Sequence, residues 1–174
     1  ILKPSEVTPL VGKLIEDVVN KSGFPEGVLQ VAHGGKDLGA AFVQGKPDYI
    51  FFTGSVKTGK VVQAEAAKQL IPTTLELGGK DPMIVFDDAP LERAVKGAIW
   101  GAFTNAGQVC MSVERLYIHR SIYDQFKRKL MKELSQLKLG IGQDDDIGSM
   151  TYPAQIAVVR EHVNDALAKG AKLD

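Results

Sequence analysis

Two residues in this chain have side chains suited to nucleophilic and base chemistry. Cys110 lies in Phe103-Thr104-Asn105-Ala106-Gly107-Gln108-Val109-Cys110, among small or polar neighbours that would leave a thiol open to substrate. As thiolate it could attack a carbonyl carbon. A lone cysteine more often serves as a small buried hydrophobe, and its local surroundings alone favour that use. Glu76 lies in Thr73-Thr74-Leu75-Glu76-Leu77-Gly78-Gly79-Lys80, at the end of an otherwise apolar stretch. Burial there would disfavour the charged carboxylate and tune it toward general-base work near neutral pH. An ion pair with Lys80, or a partly exposed strand end, accounts for the same residue without chemistry.

Two further segments could hold an anionic or polyhydroxyl ligand. Gly54-Ser55-Val56-Lys57-Thr58-Gly59 follows a strand-like run and opens a helix, so free backbone N–H groups and a positive dipole end would face a diphosphate. The segment matches neither the three-glycine dinucleotide fingerprint nor a P-loop, and plain helix capping explains it locally. Lys3 and Glu6, in Lys3-Pro4-Ser5-Glu6-Val7-Thr8-Pro9-Leu10, place a cation and a carboxylate together where a strand ends. Such ends bind ligands in open α/β sheets, and a carboxylate there would accept ribose hydroxyls and repel a 2′-phosphate. A solvated helix entrance is the local alternative. The histidines, His33, His119 and His162, have no ligand spacing and no second cysteine beside them, so no metal is assigned.

The elements that must carry these residues alternate between the two periods. Thr8-Pro9 starts a helix whose apolar face is Leu10, Val11, Leu14, Ile15, Val18 and Val19, ending before Gly23. Val28 to Ala32 reads as a short buried strand, and Asp37 to Val43 as a short helix. Tyr49 to Thr53 is a strand followed by a helix to about Lys68, and Thr73 to Leu77 is a third strand. Pro82 to Phe86 reads as a strand and Pro90 to Phe103 as a helix. Asn105 to Ser112 is a loop of small residues without either period, and Arg115 to His119 is again strand-like. Ile122, Phe126, Leu130, Leu134 and Leu137 form a helical stripe, and Pro153 to Ala168 a last helix. Gly140 to Gln143 with Asp144, Asp145 and Asp146 reads as an exposed turn; three adjacent carboxylates lack the alternation of a calcium loop. Strands alternating with helices predict a parallel, doubly wound α/β arrangement. A domain junction is expected at Gly78-Gly79, giving domains 1–77 and 78–174.

Composition excludes several functions. Among 174 residues Lys and Arg number 21, as do Asp and Glu, so no basic field attracts nucleic acid or anionic lipid. No apolar run approaches the roughly 20 residues of a spanning helix, and no secretory signal opens the chain. A single cysteine forms no internal disulfide, which suits a reducing compartment; a cytoplasmic protein is the simplest expectation. The opening at Ile1 without Met and the end at Asp174 suggest part of a longer polypeptide.

Several motifs occur in one order along nearly the whole chain: Lys3-Pro4-Ser5-Glu6 with Thr8-Pro9-Leu10, then Gly23-Phe24-Pro25-Glu26-Gly27-Val28, then Phe52-Thr53-Gly54-Ser55 with Gly59. Leu75-Glu76-Leu77-Gly78-Gly79-Lys80 follows, and last Phe103 with Asn105, Gly107-Gln108 and Cys110. In this combination the chain resembles the NAD(P)-dependent aldehyde dehydrogenase superfamily. The resemblance implies the end of a Rossmann-like, parallel-sheet cofactor domain followed by the first part of an α/β catalytic domain. It implies that Cys110 is the nucleophile and Glu76 the base that activates the hydrolytic water. It further implies that Lys3 and Glu6 meet the adenosine ribose, Ser55 the diphosphate, Leu77 and Gly78 the nicotinamide and Gln155 the nicotinamide ribose, with Ser5 and Gly54 also at the cofactor.

The implied reaction converts an aldehyde to a carboxylic acid through a thiohemiacetal and a thioester on Cys110. Relatives that pass the acyl group to coenzyme A usually lack this glutamate, so Glu76 favours hydrolysis. NAD is expected over NADP because of Glu6, and the full-length protein is expected to be a homo-oligomer. The family's oxyanion asparagine would precede Ile1 and a ribose-holding glutamate would follow Asp174. Losing one oxyanion donor costs roughly a hundred- to a thousandfold in rate, so this chain alone is expected to be nearly inactive. A cysteine acyltransferase without nicotinamide and a non-catalytic module of the same fold are the competing readings. The first is weakened because no His or Asp sits as an evident base near Cys110.

Overall fold

The computed structural model describes residues 1–173; Asp174, the last residue of the expected second domain, lies outside them. The chain divides into two compact units, Ile1–Leu77 and Gly78–Asp174.

In the first unit, helix α1 spans Pro9–Lys21 and helix α2 Lys36–Gln44. Strand β1 (Ile50–Gly54), helix α3 (Val56–Ala67) and strand β2 (Thr73–Leu77) then form a β-α-β crossover. Its two strands are parallel, with Thr53 opposite Glu76 and Gly54 opposite Leu77. Pro9 at the start of α1 gives up a donor that has no intrahelical acceptor there. Beyond its other end, Gly23 adopts φ 76°, a left-handed conformation that costs glycine little. The expected apolar face of α1 is open in this chain, with Leu10 81% exposed. Its one buried residue is Gly12, where a Cβ would stand 2.5 Å from the Pro4 ring. Val43, Ala66 and Ile71 are the buried apolar residues of this unit.

The second unit contains β3 (Asp81–Val85), α4 (Leu91–Phe103), β4 (Val113–Ile118), α5 (Tyr123–Leu134) and α6 (Pro153–Ala168). β3 and β4 are parallel, with a register shift between Asp81 and Pro82, where proline has no N–H for the ladder. Val85, Val95, Ala98 and Phe126 form the core, flanked by Met83, Leu116, Ile118, Ile122 and Leu130. The helical stripe of α5 thus lies over β3, β4 and α4. Phe126 is fully buried, and enclosing a side chain of that size contributes about 2–3 kcal/mol. Lys129 of α5 forms an ion pair with Glu92 of α4.

Both units are built of helices and parallel strand pairs, and the α/β class is as expected; among the described residues each sheet has two strands. The expected strand at Val28–Ala32 is instead a single parallel bridge, Leu2 to Val31. Val28 is still inside a turn, its N–H bonded to Pro25 O at 3.3 Å after left-handed Gly27. Leu2 N–H reaches Gln30 O at 2.8 Å and Ala32 N–H reaches Leu2 O at 2.9 Å. β4 starts two residues earlier than expected, and α5 ends before Leu137. In the acidic loop, Asp145 accepts from Gly142 N–H at 2.7 Å and Asp146 from Lys138 N–H at 2.9 Å, so these carboxylates close turns. Among the described residues no group of three or more His, Cys, Asp or Glu could hold a metal ion, and no helix is long and apolar enough to cross a membrane.

Candidate active site

Cys110 is exposed, which removes the space-filling use its surroundings allowed. Its loop is more ordered than its sequence suggested. At the end of α4, Thr104 turns its hydroxyl and its N–H back onto Trp100 O. The chain then passes through a short 3₁₀ turn, Thr104–Gly107, in which Asn105, Ala106 and Gly107 all have positive φ (53°, 57° and 74°). Left-handed backbone is unfavourable for alanine and persists only where surroundings hold it. Ser112, 4% exposed, does part of that: its Oγ donates to Gly107 O at 3.0 Å and its N–H to Val109 O at 3.1 Å. Cys110 is therefore enclosed in a closed turn, and its own N–H has no acceptor among the described residues. An N–H so placed can stabilise negative charge on an oxygen attached at the thiol's carbon partner.

The Gly78-Gly79-Lys80 stretch lies against this turn. A Cβ on Gly79 would come 3.8 Å from Cys110 O and 2.6 Å from Asp81 Oδ1, so a larger residue there would displace the Asp81 carboxylate. The stretch is fixed from β4: Arg115 Nε donates to Lys80 O at 2.8 Å, and Lys80 forms an ion pair with Glu114. Lys80 is thus engaged by Glu114, and the pairing with Glu76 weighed from sequence is not formed. Nothing in the sequence singled out Glu114 or Arg115; they follow from β3 and β4 being parallel neighbours. Glu76 is exposed at the end of β2, the strand-end alternative rather than the buried carboxylate. Glu76 and Cys110 belong to different compact units.

In the first unit Ser55 follows β1, and Lys3, Ser5 and Glu6 follow the Leu2 to Val31 bridge. Ser55 is the N-cap of α3, its Oγ accepting from Thr58 N–H at 3.1 Å and donating to Thr58 Oγ1 at 3.0 Å. The capping use weighed from sequence is therefore present. It still leaves the N–H groups of Val56 and Lys57, the first two of the helix, without intrahelical acceptors. The first turn has no acidic residue, so the local charge suits an anion. Gly54 lies opposite Leu77, and a Cβ on Gly59 would come 2.6 Å from Leu77 Cδ2, so glycine lets α3 sit tight against the end of β2. Lys3 Nζ donates to Pro4 O and Gly34 O, both at 2.8 Å, and stands 3.5 Å from Glu6 Oε2. Glu6's own backbone N–H, and then the Lys3 ammonium, hold its carboxyl below the usual glutamate range, so it stays an acceptor. Ser5 Oγ accepts from Val7 N–H at 3.2 Å, which shapes the turn into α1.

Gln155 stands exposed in the first turn of α6. The entrance to that helix is tied to the cysteine turn by a contact that sequence reasoning missed: Thr151 N–H donates to Gln108 Oε1 at 2.8 Å. The available signal was Gln108's place two residues before Cys110.

The family model described as the aldehyde dehydrogenase family matches residues 1–174. The chain is 47% identical to the 4,4'-diapolycopene aldehyde oxidase of a Methylomonas species over 99% of its length and 32% of that protein. It is 38% identical to the NADP(+) succinate-semialdehyde dehydrogenase GabD of Escherichia coli, over 99% of its length and 37% of that protein. Among solved structures it is similar to betaine aldehyde dehydrogenase from Staphylococcus aureus in complex with NAD+, with a TM-score of 0.91 and 34% identity over 98% of this chain and 35% of that one. The chain spans about a third of the length of the relatives it matches. With a family match from first residue to last, this chain belongs to the aldehyde dehydrogenase family.

Proposed function

We propose that the whole protein oxidises an aldehyde to a carboxylic acid with a nicotinamide dinucleotide, residues 1–77 serving the cofactor and residues 78–174 carrying the nucleophile. The observation that carries this is the exposed Cys110 thiol on a closed turn beside Gly79, in a chain of this family. The Cys110 thiolate attacks the aldehyde carbon, forming a C–S bond and a thiohemiacetal whose oxygen takes the hydrogen bond of the unengaged Cys110 N–H. A bound nicotinamide supplies the hydride acceptor. Cys110 then holds a thioester; Glu76 takes a proton from water, the resulting hydroxide attacks the acyl carbon, and the C–S bond breaks to restore the thiolate.

Lys3, Ser5 and Glu6 would hold the adenosine ribose, Gly54 and Ser55 with the first N–H groups of α3 the diphosphate, Leu77 and Gly78 the nicotinamide, and Gln155 its ribose. The ionised Glu6 favours NAD, since it would repel a 2′-phosphate; the E. coli relative is named for NADP(+), so both cofactors belong in the test. Steady-state rates of the whole protein on a panel of aldehydes with NAD and NADP decide the matter. Absence of reduced cofactor with every aldehyde overturns the function, and a higher kcat/KM with NADP overturns the cofactor preference. A cytoplasmic homo-oligomer is part of the same proposal, checked by fractionation and by sedimentation.

A further inference from the structure

The left-handed turn before Cys110 needs something to hold it, and Ser112 reaches only its last carbonyl. The remaining contacts converge on one residue, Gln108. Gln108 Nε2 donates to Asn105 O at 2.9 Å, and the Gln108 backbone N–H bonds the same oxygen at 3.1 Å. Asn105 Nδ2 returns a bond to Gln108 O at 3.2 Å, so the two amides close a ring around Ala106 and Gly107. The other end of the Gln108 carboxamide points elsewhere: its Oε1 accepts from Thr151 N–H at 2.8 Å. Thr151 stands two residues before Pro153, where α6 begins.

We infer that Gln108 is a positioning residue whose carboxamide sets the place of the Cys110 thiol and the entrance to α6 together. One end maintains a left-handed backbone that Ala106 would not adopt alone; the other fixes the segment leading into the helix of Gln155. Both tasks require an amide, a donor on one atom and an acceptor on the other. Glutamate is nearly the same shape but offers a second oxygen toward Asn105 O, which turns attraction into repulsion while leaving an acceptor for Thr151. Leucine removes both ends, and proline at 151 removes the Thr151 donor while leaving the bonds between Gln108 and Asn105 in place. The inference rests on the proposed role of Cys110 but assigns Gln108 no contact with substrate.

The test uses the whole protein with Gln108→Glu, Gln108→Leu and Thr151→Pro. Two quantities are read: the rate of Cys110 alkylation by iodoacetamide as a function of pH, and kcat against KM for an aldehyde. The glutamine variants are expected to lose about 10- to 100-fold in kcat with little change in KM, because a displacement of about 1 Å from the reactive position costs on that order. Their alkylation profiles are expected to shift, and Thr151→Pro to shift in the same direction by less. Should Gln108→Leu fail to fold, Gln108→Glu carries the test. An alkylation profile matching the parent in the glutamine variants overturns the inference whatever happens to kcat. A parental profile in Thr151→Pro alone overturns the link to α6. Because alkylation reads the thiol directly, its outcome stands apart from the catalytic reading, which fails separately if Cys110→Ser keeps parental turnover.

Discussion

Ser55, after β1, and Cys110, after α4, both stand where a regular element gives way to a turn, but the two turns are held differently. Ser55 has ordinary extended backbone (φ −71°, ψ 149°) and its side chain caps the very helix it introduces. The cap that shapes this turn comes from Thr58, three residues on, with Leu77 packed behind it at Gly59. Around Cys110, three consecutive residues are left-handed, and the bonds that hold them run to Ser112 and, through Gln108, to Thr151. An anion can be met by backbone N–H groups that any helix start leaves free, so local geometry suffices. A nucleophile must present one atom in one place, and there the chain maintains a strained shape with contacts distant in sequence.

The comparison breaks most visibly at the thiol. In the whole protein, Cys110→Ser is expected to lower turnover by at least about a thousandfold, since removing a nucleophile removes the route and not only a contact. Glu76→Gln divides the reaction instead. Steady-state rate should fall by about 10²–10⁴-fold, the usual worth of a general base, while a first-turnover burst of reduced cofactor survives. Rapid mixing distinguishes the two; loss of the burst in Glu76→Gln would mean the carboxylate acts before the thioester.

Backbone strain gives the next effect. Gly107→Ala puts a Cβ on a residue at φ 74° and 3.1 Å from Ala102 O, so a loss of about 1–3 kcal/mol is expected in thermal or urea unfolding. Ala106→Gly is the converse. It relieves a left-handed alanine but adds freedom to the unfolded chain, so stability should move by less than about 1 kcal/mol. Equal losses at both positions would show that the turn is not held by its left-handed shape.

What the sequence disclosed follows the same division. α1, α3, α4 and α6 were legible because proline, a capping hydroxyl and helical periodicity are local signals, and β2 because its apolar run is short and bounded. Val28–Ala32 has the composition of a strand, but composition does not supply a partner, and Leu2 pairs with it at one point only. Asparagine enters left-handed backbone readily, so Asn105 carries a local sign of positive φ, but Ala106 carries none and is held there by the contacts of Gln108 and Ser112. For Glu76 the sequence left burial and an exposed strand end both open, and side-chain alternation turns it outward in this chain. The exposure of Cys110 required the loop to close behind it, which no spacing rule records.

At Ser55 the local character of the turn sets a smaller expectation. Ser55→Ala removes the acceptor for Thr58 N–H and should cost about 1 kcal/mol of stability. The change should not alter the alkylation of Cys110. A disturbed thiol in that variant would show that Ser55 does more than cap α3.

The smallest effects are electrostatic. Glu6 is held below its ordinary 4.5 chiefly by its own backbone N–H and then by Lys3. A lowered carboxylate contributes stability that is present above the unfolded value and lost as pH falls through the folded one, so the acid limb of the melting curve should carry it below about pH 4.5. Lys13 runs the other way: Glu16 and then Asp17 raise it above 10.5, so its contribution is present below that value and lost as pH rises past the folded one. Both groups are exposed, and added salt near 1 M, with a screening length of about 3 Å, should flatten both limbs. Glu6→Gln should remove the Glu6 share of the acid limb and also narrow any preference for NAD over NADP, measured as the ratio of kcat/KM. An unchanged ratio would leave Glu6 a residue that shapes the entrance to α1 and would remove it from the cofactor site.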